Sequence, residues 1–165
     1  MFIVKAGDLR LVLFYSKHKY VDVIEQDGKN LKIRATLEDF FFDGEVEIAV
    51  KVPQMDILSI KGNIKRSFFE NCQASLSKLE KLVGLRIGPG IIKIVYSILG
   101  KAKGCDYLAS LAVECCEAAI LGLTVGPLYN AVPQLKKIED VTTKKLIRMM
   151  PNLKNTCIAF MEEKK

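Results

Sequence analysis

Near residue 70 the hydrophobic period of this chain changes from that of a strand to that of a helix, and the change decides its architecture. Upstream, Leu31, Ile33, Ala35 and Leu37 alternate with Lys32, Arg34, Thr36 and Glu38. The pattern returns where Val46, Ile48, Val50 and Val52 alternate with Glu45, Glu47 and Lys51. It returns again where Leu58, Ile60 and Ile64 alternate with Ser59, Lys61, Asn63 and Lys65. A period of two gives each strand one buried and one wet face. Earlier still, "LRLVLFY" (9–15) leads through a polar turn, "SKHK" (16–19), into "YVDVIEQ" (20–26). Asp27-Gly28 is a dipeptide favoured in tight hairpins, and Pro53 separates the last two strands. The first 66 residues therefore predict a meander of antiparallel strands.

From Asn71 the spacing is helical. Asn71 is a suitable N-cap for "CQASLSKLEKLVG", in which Leu76, Leu79, Leu82 and Val83 share a face and Gly84 ends the helix. "GPGIIKIVYSILG" predicts a second helix, apolar on most sides and so largely buried. In a third, Leu108, Leu111, Ala112, Cys115, Ala118 and Ala119 recur at intervals of three and four. Strands first and helices after predict an α+β fold, an antiparallel meander sheet with helices packed on one face. After Leu123 the texture changes: Pro127, Pro133 and Pro151 punctuate the chain, and "EDVTTKKLIRMM" predicts a short helix. The expectation is one domain over 1–165, with a core at 1–123 and a C-terminal appendage at 124–165 packed on it.

Composition narrows the function classes. Half of the 165 residues are hydrophobic and 27% are charged, an ordinary globular balance. The longest apolar run, 118–125, is far shorter than the roughly 20 residues a membrane helix needs. The start "MFIVKAGDLRLVLFY" is broken by Lys5, Asp8 and Arg10 and has no cleavage site after it, so it reads as mature cytoplasmic protein. A net charge of +6 is spread along the chain, with no basic run interleaved with aromatics as in nucleic-acid grooves. Neither a membrane nor a nucleic acid is expected as partner; another protein is. The oligomeric state is not encoded in these features.

The five cysteines hold the chemical interest. Their odd number and the cytosolic reading favour metal-binding, reactive or simply buried thiols over disulfides. Cys72 and Cys105 each lie at a predicted helix start, where unpaired N–H groups lower a thiol pKa. A thiolate suits metal binding or sulfur transfer; the alternative is that both are small buried side chains. Cys115 belongs to the apolar stripe, whereas Cys116 lies off it and is expected to be partly exposed. Cys157, in "NTCIAF", is open to either reading, and no CxxC pair is present.

Other candidates are weaker. His18, the sole histidine, falls in the predicted polar turn, so it is expected to be solvated and no serine–histidine–acid set can be argued. Glu38-Asp39 reads as surface charge. "GLRIGPG" (84–90) could hold an anion with Arg86 at a helix start, but it follows a helix and lacks the phosphate-loop spacing. A helix-to-helix turn, with Pro89 starting the next helix, is the expectation there. An enzymatic role is thus not favoured.

The block "LEKLVGLRIGPGIIKIVYSILGKAKGCDYLASLAVE" resembles an uncharacterised prokaryotic family, the domain-of-unknown-function family 2889. "IRATLEDFFFDGEVEIAVKV", "NCQASLSKL" and "PNLKNTCIAF" are similar to it as well. More distantly, the chain resembles the sulfur-handling fold of NifU- and SufE-type proteins, the iron–sulfur cluster scaffolds. In those, one cysteine follows a strand and opens a helix, and another opens the last core helix; Cys72 and Cys105 match these places. The scaffold's remaining cysteine would fall just before "EVEIAVKV", where this chain has Phe42 and Asp43. Family members often carry histidine near Phe40–Phe42 and shortly after Cys105, where Asp106 and Tyr107 stand here. The resemblance implies a NifU/SufE-like fold and a metal site of Cys72, Cys105, Cys157 and Asp43, with zinc or an iron–sulfur cluster as its candidate ligand.

Overall fold

The computed structural model describes residues 3–6, 9–12, 14–26, 28–68, 70–131, 142–149 and 161. By its internal contacts the chain divides into two compact units, Met1–Ile120 and Leu121–Lys165. The first opens with β1 (Ile3–Ala6) and β2 (Leu9–Val12), an antiparallel pair that forms its own sheet. Four longer strands follow: β3 (Lys17–Gln26), β4 (Asn30–Asp39), β5 (Phe42–Lys51) and β6 (Asp56–Ser67). They lie side by side in chain order, every neighbour antiparallel. Next come a 3-10 helix (Glu70–Leu82), α1 (Ile91–Leu99), a 3-10 turn (Lys101–Lys103) and α2 (Asp106–Ala131). The second unit takes in residues 121–131 of α2 and contains α3 (Thr143–Met149), within the stretch expected to be helical. The architecture is α+β, as the change of period predicts. Among the described residues no helix is long and apolar enough to cross a membrane.

The sheet has one buried face. Ile33 pairs with Ile48, Ala35 with Val46 and Leu31 with Val50, and all six side chains are buried. Ile57, Ile60 and Ile64 extend that face onto β6; Leu58, expected on it, is 46% exposed, because a register shift opposite Ala49 and Val50 puts Ile57 there instead. Each fully buried aliphatic side chain of this size contributes roughly 1.5–3 kcal/mol, so the sheet face and the residues covering it dominate the stability. The 3-10 helix packs closely on β6. A Cβ at Gly62 would stand 2.5 Å from Leu79 Cδ1 and 2.8 Å from Leu76 Cδ2, so any larger residue there makes these leucine side chains shift. In the same core, Cys115 of α2 donates its thiol to the Val46 carbonyl at 3.5 Å.

Several local expectations are corrected. "SKHK" is not a turn: Lys17, His18 and Lys19 open β3 opposite Asp39, Glu38 and Leu37. Backbone pairing with β4 carries the strand this far, and both lysines also find partners on α2. Lys19 pairs with Glu114, and the Lys17 ammonium lies 5.6 Å from the centroid of the Tyr107 ring. The first helix is 3-10 throughout, so residues three apart stack on one edge. Leu79 and Leu82 are buried on that edge with Leu76 half-buried, while Val83 falls off it and is exposed. α1 buries only Ile91, Val95 and Leu99, leaving Ile92, Ile94 and Tyr96 exposed, so one face alone meets the core. α2 runs on to Ala131 through Pro127, at the cost of one helical hydrogen bond.

Candidate functional site

The two cysteines that sequence reasoning ranked first meet in the structure. Cys72 is the third residue of the 3-10 helix and lies on its buried side, next to Ser75 one turn on. Cys105 directly precedes α2, and its carbonyl accepts the Ala109 N–H at 2.9 Å, which makes it the helix N-cap. Gly104 sets its position. A Cβ there would stand 2.1 Å from the Leu99 carbonyl oxygen and 2.7 Å from the Leu99 carbonyl carbon. The end of α1 and the start of α2 can therefore approach this closely only with no side chain between them. In the resulting arrangement the Cys105 thiol donates to Cys72 Sγ at 3.4 Å, across 33 positions of sequence.

Both sulfurs are nearly sealed, with Cys72 8% and Cys105 5% exposed. The expectation of a lowered thiol pKa at the helix start is overturned for Cys105. Burial pushes its thiol up to about 11, and the Cys72 sulfur beside it adds to the rise. The Leu108 and Tyr107 N–H groups do hydrogen-bond to the sulfur and pull the other way, but desolvation outweighs them. Burial also raises the Cys115 thiol, and it raises Cys116 to about 11. Cys116 was expected to be partly exposed and is 1% exposed instead. All four described cysteines are free and buried.

Asp43, the other described residue of the expected metal set, does not face the core with the pair. Phe42, Gly44 and Val46 are the buried positions of β5, so Asp43 points to the opposite face of the sheet. Among the described residues no group of three or more His, Cys, Asp or Glu side chains could hold a metal ion. Cys157 lies outside the described residues. Arg86 is paired with a carboxylate of this chain: its Nε donates to Asp56 Oδ1 at 3.0 Å. The chain around it is no simple helix-to-helix turn. It runs along the start of β6, with Ile57 donating to the Leu85 carbonyl and Ile87 to that of Met55.

A second constellation centres on Asp39, which sequence reasoning placed on the surface and which is 5% exposed. Its Oδ1 accepts the N–H groups of Phe41 and Phe42 at 2.8 Å each, and its Oδ2 accepts the Tyr15 hydroxyl at 3.0 Å. Burial by itself would raise this carboxyl, but these bonds and one from Tyr107 hold it below the ordinary carboxylate range. The signal was present in the alternation: Asp39 continues the buried series Leu31, Ile33, Ala35, Leu37. Arg66 braces the same turn, donating to the carbonyls of Asp39 and Phe40 at 2.7 and 2.5 Å. Tyr107 stacks on Phe42 with ring centroids 4.5 Å apart, which ties the first turn of α2 to this end of the sheet.

The turn also presents three exposed rings. Phe40, Phe41 and Phe68 meet edge to face, with centroids 5.1 to 5.9 Å apart. Beside them an open recess of about 400 Å³ lies between Phe14, Tyr15, His18, Glu38, Asp39 and Phe40. His18 is thus on an exposed strand position facing this recess rather than in a turn.

Comparison with known proteins adds a family and no activity. No curated protein and no solved structure matches the chain. The family described as "Protein of unknown function (DUF2889)" matches residues 16–121, which include β3 to β6, the 3-10 helix, α1 and the thiol-bearing start of α2. That match spans well over half of the chain, and the protein belongs to this family.

Proposed function

We propose that this protein is a non-enzymatic, thiol-based binding protein of a reducing compartment such as the cytosol. Cys72 and Cys105 would supply two ligands to a soft metal centre, zinc or an iron–sulfur cluster. One observation carries the reading: the two sulfurs stand 3.4 Å apart although they come from separate helices. Tetrahedral zinc with Zn–S bonds of about 2.3 Å places its sulfurs ~3.8 Å apart, so a small adjustment turns the pair into two corners of a site. The NifU/SufE-type likeness of Cys72 and Cys105 belongs to the same proposal. The remaining ligands come from beyond the described residues, with Cys157 a candidate, or from a partner protein. The same closeness argues against carriage of a transient persulfide. A second thiol within reach would attack the persulfide's inner sulfur and expel hydrosulfide.

Both thiols must lose their protons when metal binds, so affinity rises with pH. The test is metal content per chain in protein purified without oxygen, for the wild type and for Cys72→Ser and Cys105→Ser. Cys115→Ser, a buried cysteine outside the pair, controls for loss of fold. The expectation is that metal disappears in the first two variants and persists in the control. Equal content in all four proteins ends the reading.

A second reading, a non-catalytic interaction module whose cysteines are structural only, is favoured by the exposed Phe40, Phe41 and Phe68 rings. Isolated surface phenylalanines need no explanation, but three in mutual contact at one turn form the kind of apolar patch that partners cover.

A further inference from the structure

We infer that Cys72 and Cys105 form a reversible disulfide with each other, which makes the pair a site of covalent modification by small-molecule disulfides of the glutathione class. The inference uses the same two residues as the metal reading but rests only on their spacing. A disulfide needs its sulfurs about 2.05 Å apart, so closing the bond takes a movement of roughly 1.4 Å. Each sulfur hangs on a single rotatable bond. Neither is held by an ion pair, and the Cys105 thiol already points at Cys72. By contrast, Cys115 is occupied with the Val46 carbonyl on the sheet side of α2. Of the described cysteines, only this pair has its sulfurs in contact.

The chemistry balances without further reagents. The Cys72 thiolate attacks one sulfur of the oxidised disulfide, whose S–S bond breaks and releases one thiolate. The Cys105 sulfur then attacks Cys72 Sγ, expelling the second thiolate. The two protons lost by the cysteines go to the two released thiolates. The protein pair is oxidised by two electrons and the small disulfide is reduced by two. Cys72 is named as the first attacker because its neighbours Asn71, Gln73 and Ala74 are exposed, so solvent reaches it first.

The product would tie the 3-10 helix to the start of α2 and close a loop spanning 33 positions. A cross-link of that length restricts the unfolded chain, and the melting temperature rises by an amount on the order of 5–10 °C. Metal held by the same sulfurs would protect them, so zinc-loaded and oxidised forms exclude each other.

The test treats full-length, metal-stripped, reduced protein with oxidised glutathione, then maps peptides and records melting curves. The expected result is a peptide linking Cys72 to Cys105, the higher melting temperature, and return of both to the starting state with a thiol reductant. Stable glutathione adducts on either cysteine without the link overturn the inference. So does a link that runs through Cys115, Cys116 or Cys157. The metal reading is separable: protein that forms the link but never binds metal keeps this inference and loses that one. Protein that binds metal yet forms no link when stripped does the reverse.

Discussion

Alanine at position 104 would test whether main-chain contact, rather than side-chain packing, holds the thiols together. An added Cβ meets the Leu99 carbonyl oxygen at 2.1 Å, against ordinary contacts of 3.4 Å and more. Relief therefore needs about 1.3 Å of movement, and no rotamer can supply it because the obstacle is backbone. Overpacking a core generally costs about 1–3 kcal/mol, and a site with no flexible side chain to yield belongs at the upper end. With a urea dependence of roughly 2 kcal/mol per molar, a loss of ~3 kcal/mol lowers the unfolding midpoint by ~1.5 M. The chain has no tryptophan, so unfolding is followed by far-ultraviolet circular dichroism together with tyrosine fluorescence. The displaced start of α2 should also slow disulfide formation between Cys72 and Cys105. A Gly104→Ala midpoint within about 0.25 M of wild type would refute the argument, since that corresponds to only ~0.5 kcal/mol.

Two further outcomes follow from the turn between β4 and β5. The carboxyl of Asp39 is held below its unfolded value, so the stability it provides is full above the unfolded pKa near 3.9 and is lost as pH falls through the lower folded value. Asp39→Asn should therefore be less stable than wild type at neutral pH and show a flatter dependence in acid; parallel acid-titration curves would contradict this. Phe40→Ser with Phe68→Ser should leave the melting temperature within about 2 °C, because both rings are more than half exposed. The same double variant should bind less bis-ANS and lose a partner that Cys72→Ser retains; unchanged dye binding would show that the cluster is no apolar patch.

The strand half was legible because period-two alternation speaks directly of one covered face. The alternation in β4 and β5 reappears residue by residue in the burial of Leu31 to Leu37 and Val46 to Val50. What alternation alone could not convey was its extent. The buried series runs on through Asp39 in β4, and the paired strand β3 reaches back to the exposed Lys17 and Lys19, but polar residues there look like a turn or a surface until their partners are known. Tyr15, Tyr107 and Glu114 are those partners, and they come from remote parts of the chain. The helices were harder for a related reason. A stripe of leucines three apart fits an α-helix nearly as well as a 3-10 helix, and Val83, just past the end of the helix at Leu82, is exposed.

For the site, Cys105 does stand at a helix start, whereas Cys72 is the third residue of a helix that begins at Glu70 and not after an Asn71 cap; reasoning from the helix start also gives the wrong electrostatics for Cys105. The local effect is real, since Leu108 and Tyr107 donate to that sulfur. Burial is a property of the whole fold, and no window of sequence around "KGCDYL" displays it. Asp43 shows the reverse case. The resemblance nominated it, whereas its parity in β5, odd where Phe42 and Gly44 are even, already assigned it to the other face.

Sealing both sulfurs beneath the protein surface has a consequence in time. With Cys72 only 8% exposed, a bulky reagent reaches the pair more readily when the 3-10 helix opens locally, so exchange there is slower than at a surface thiol. Whatever settles there is also slower to leave. A brief pulse of ligand or oxidant would leave less of a mark than a sustained one.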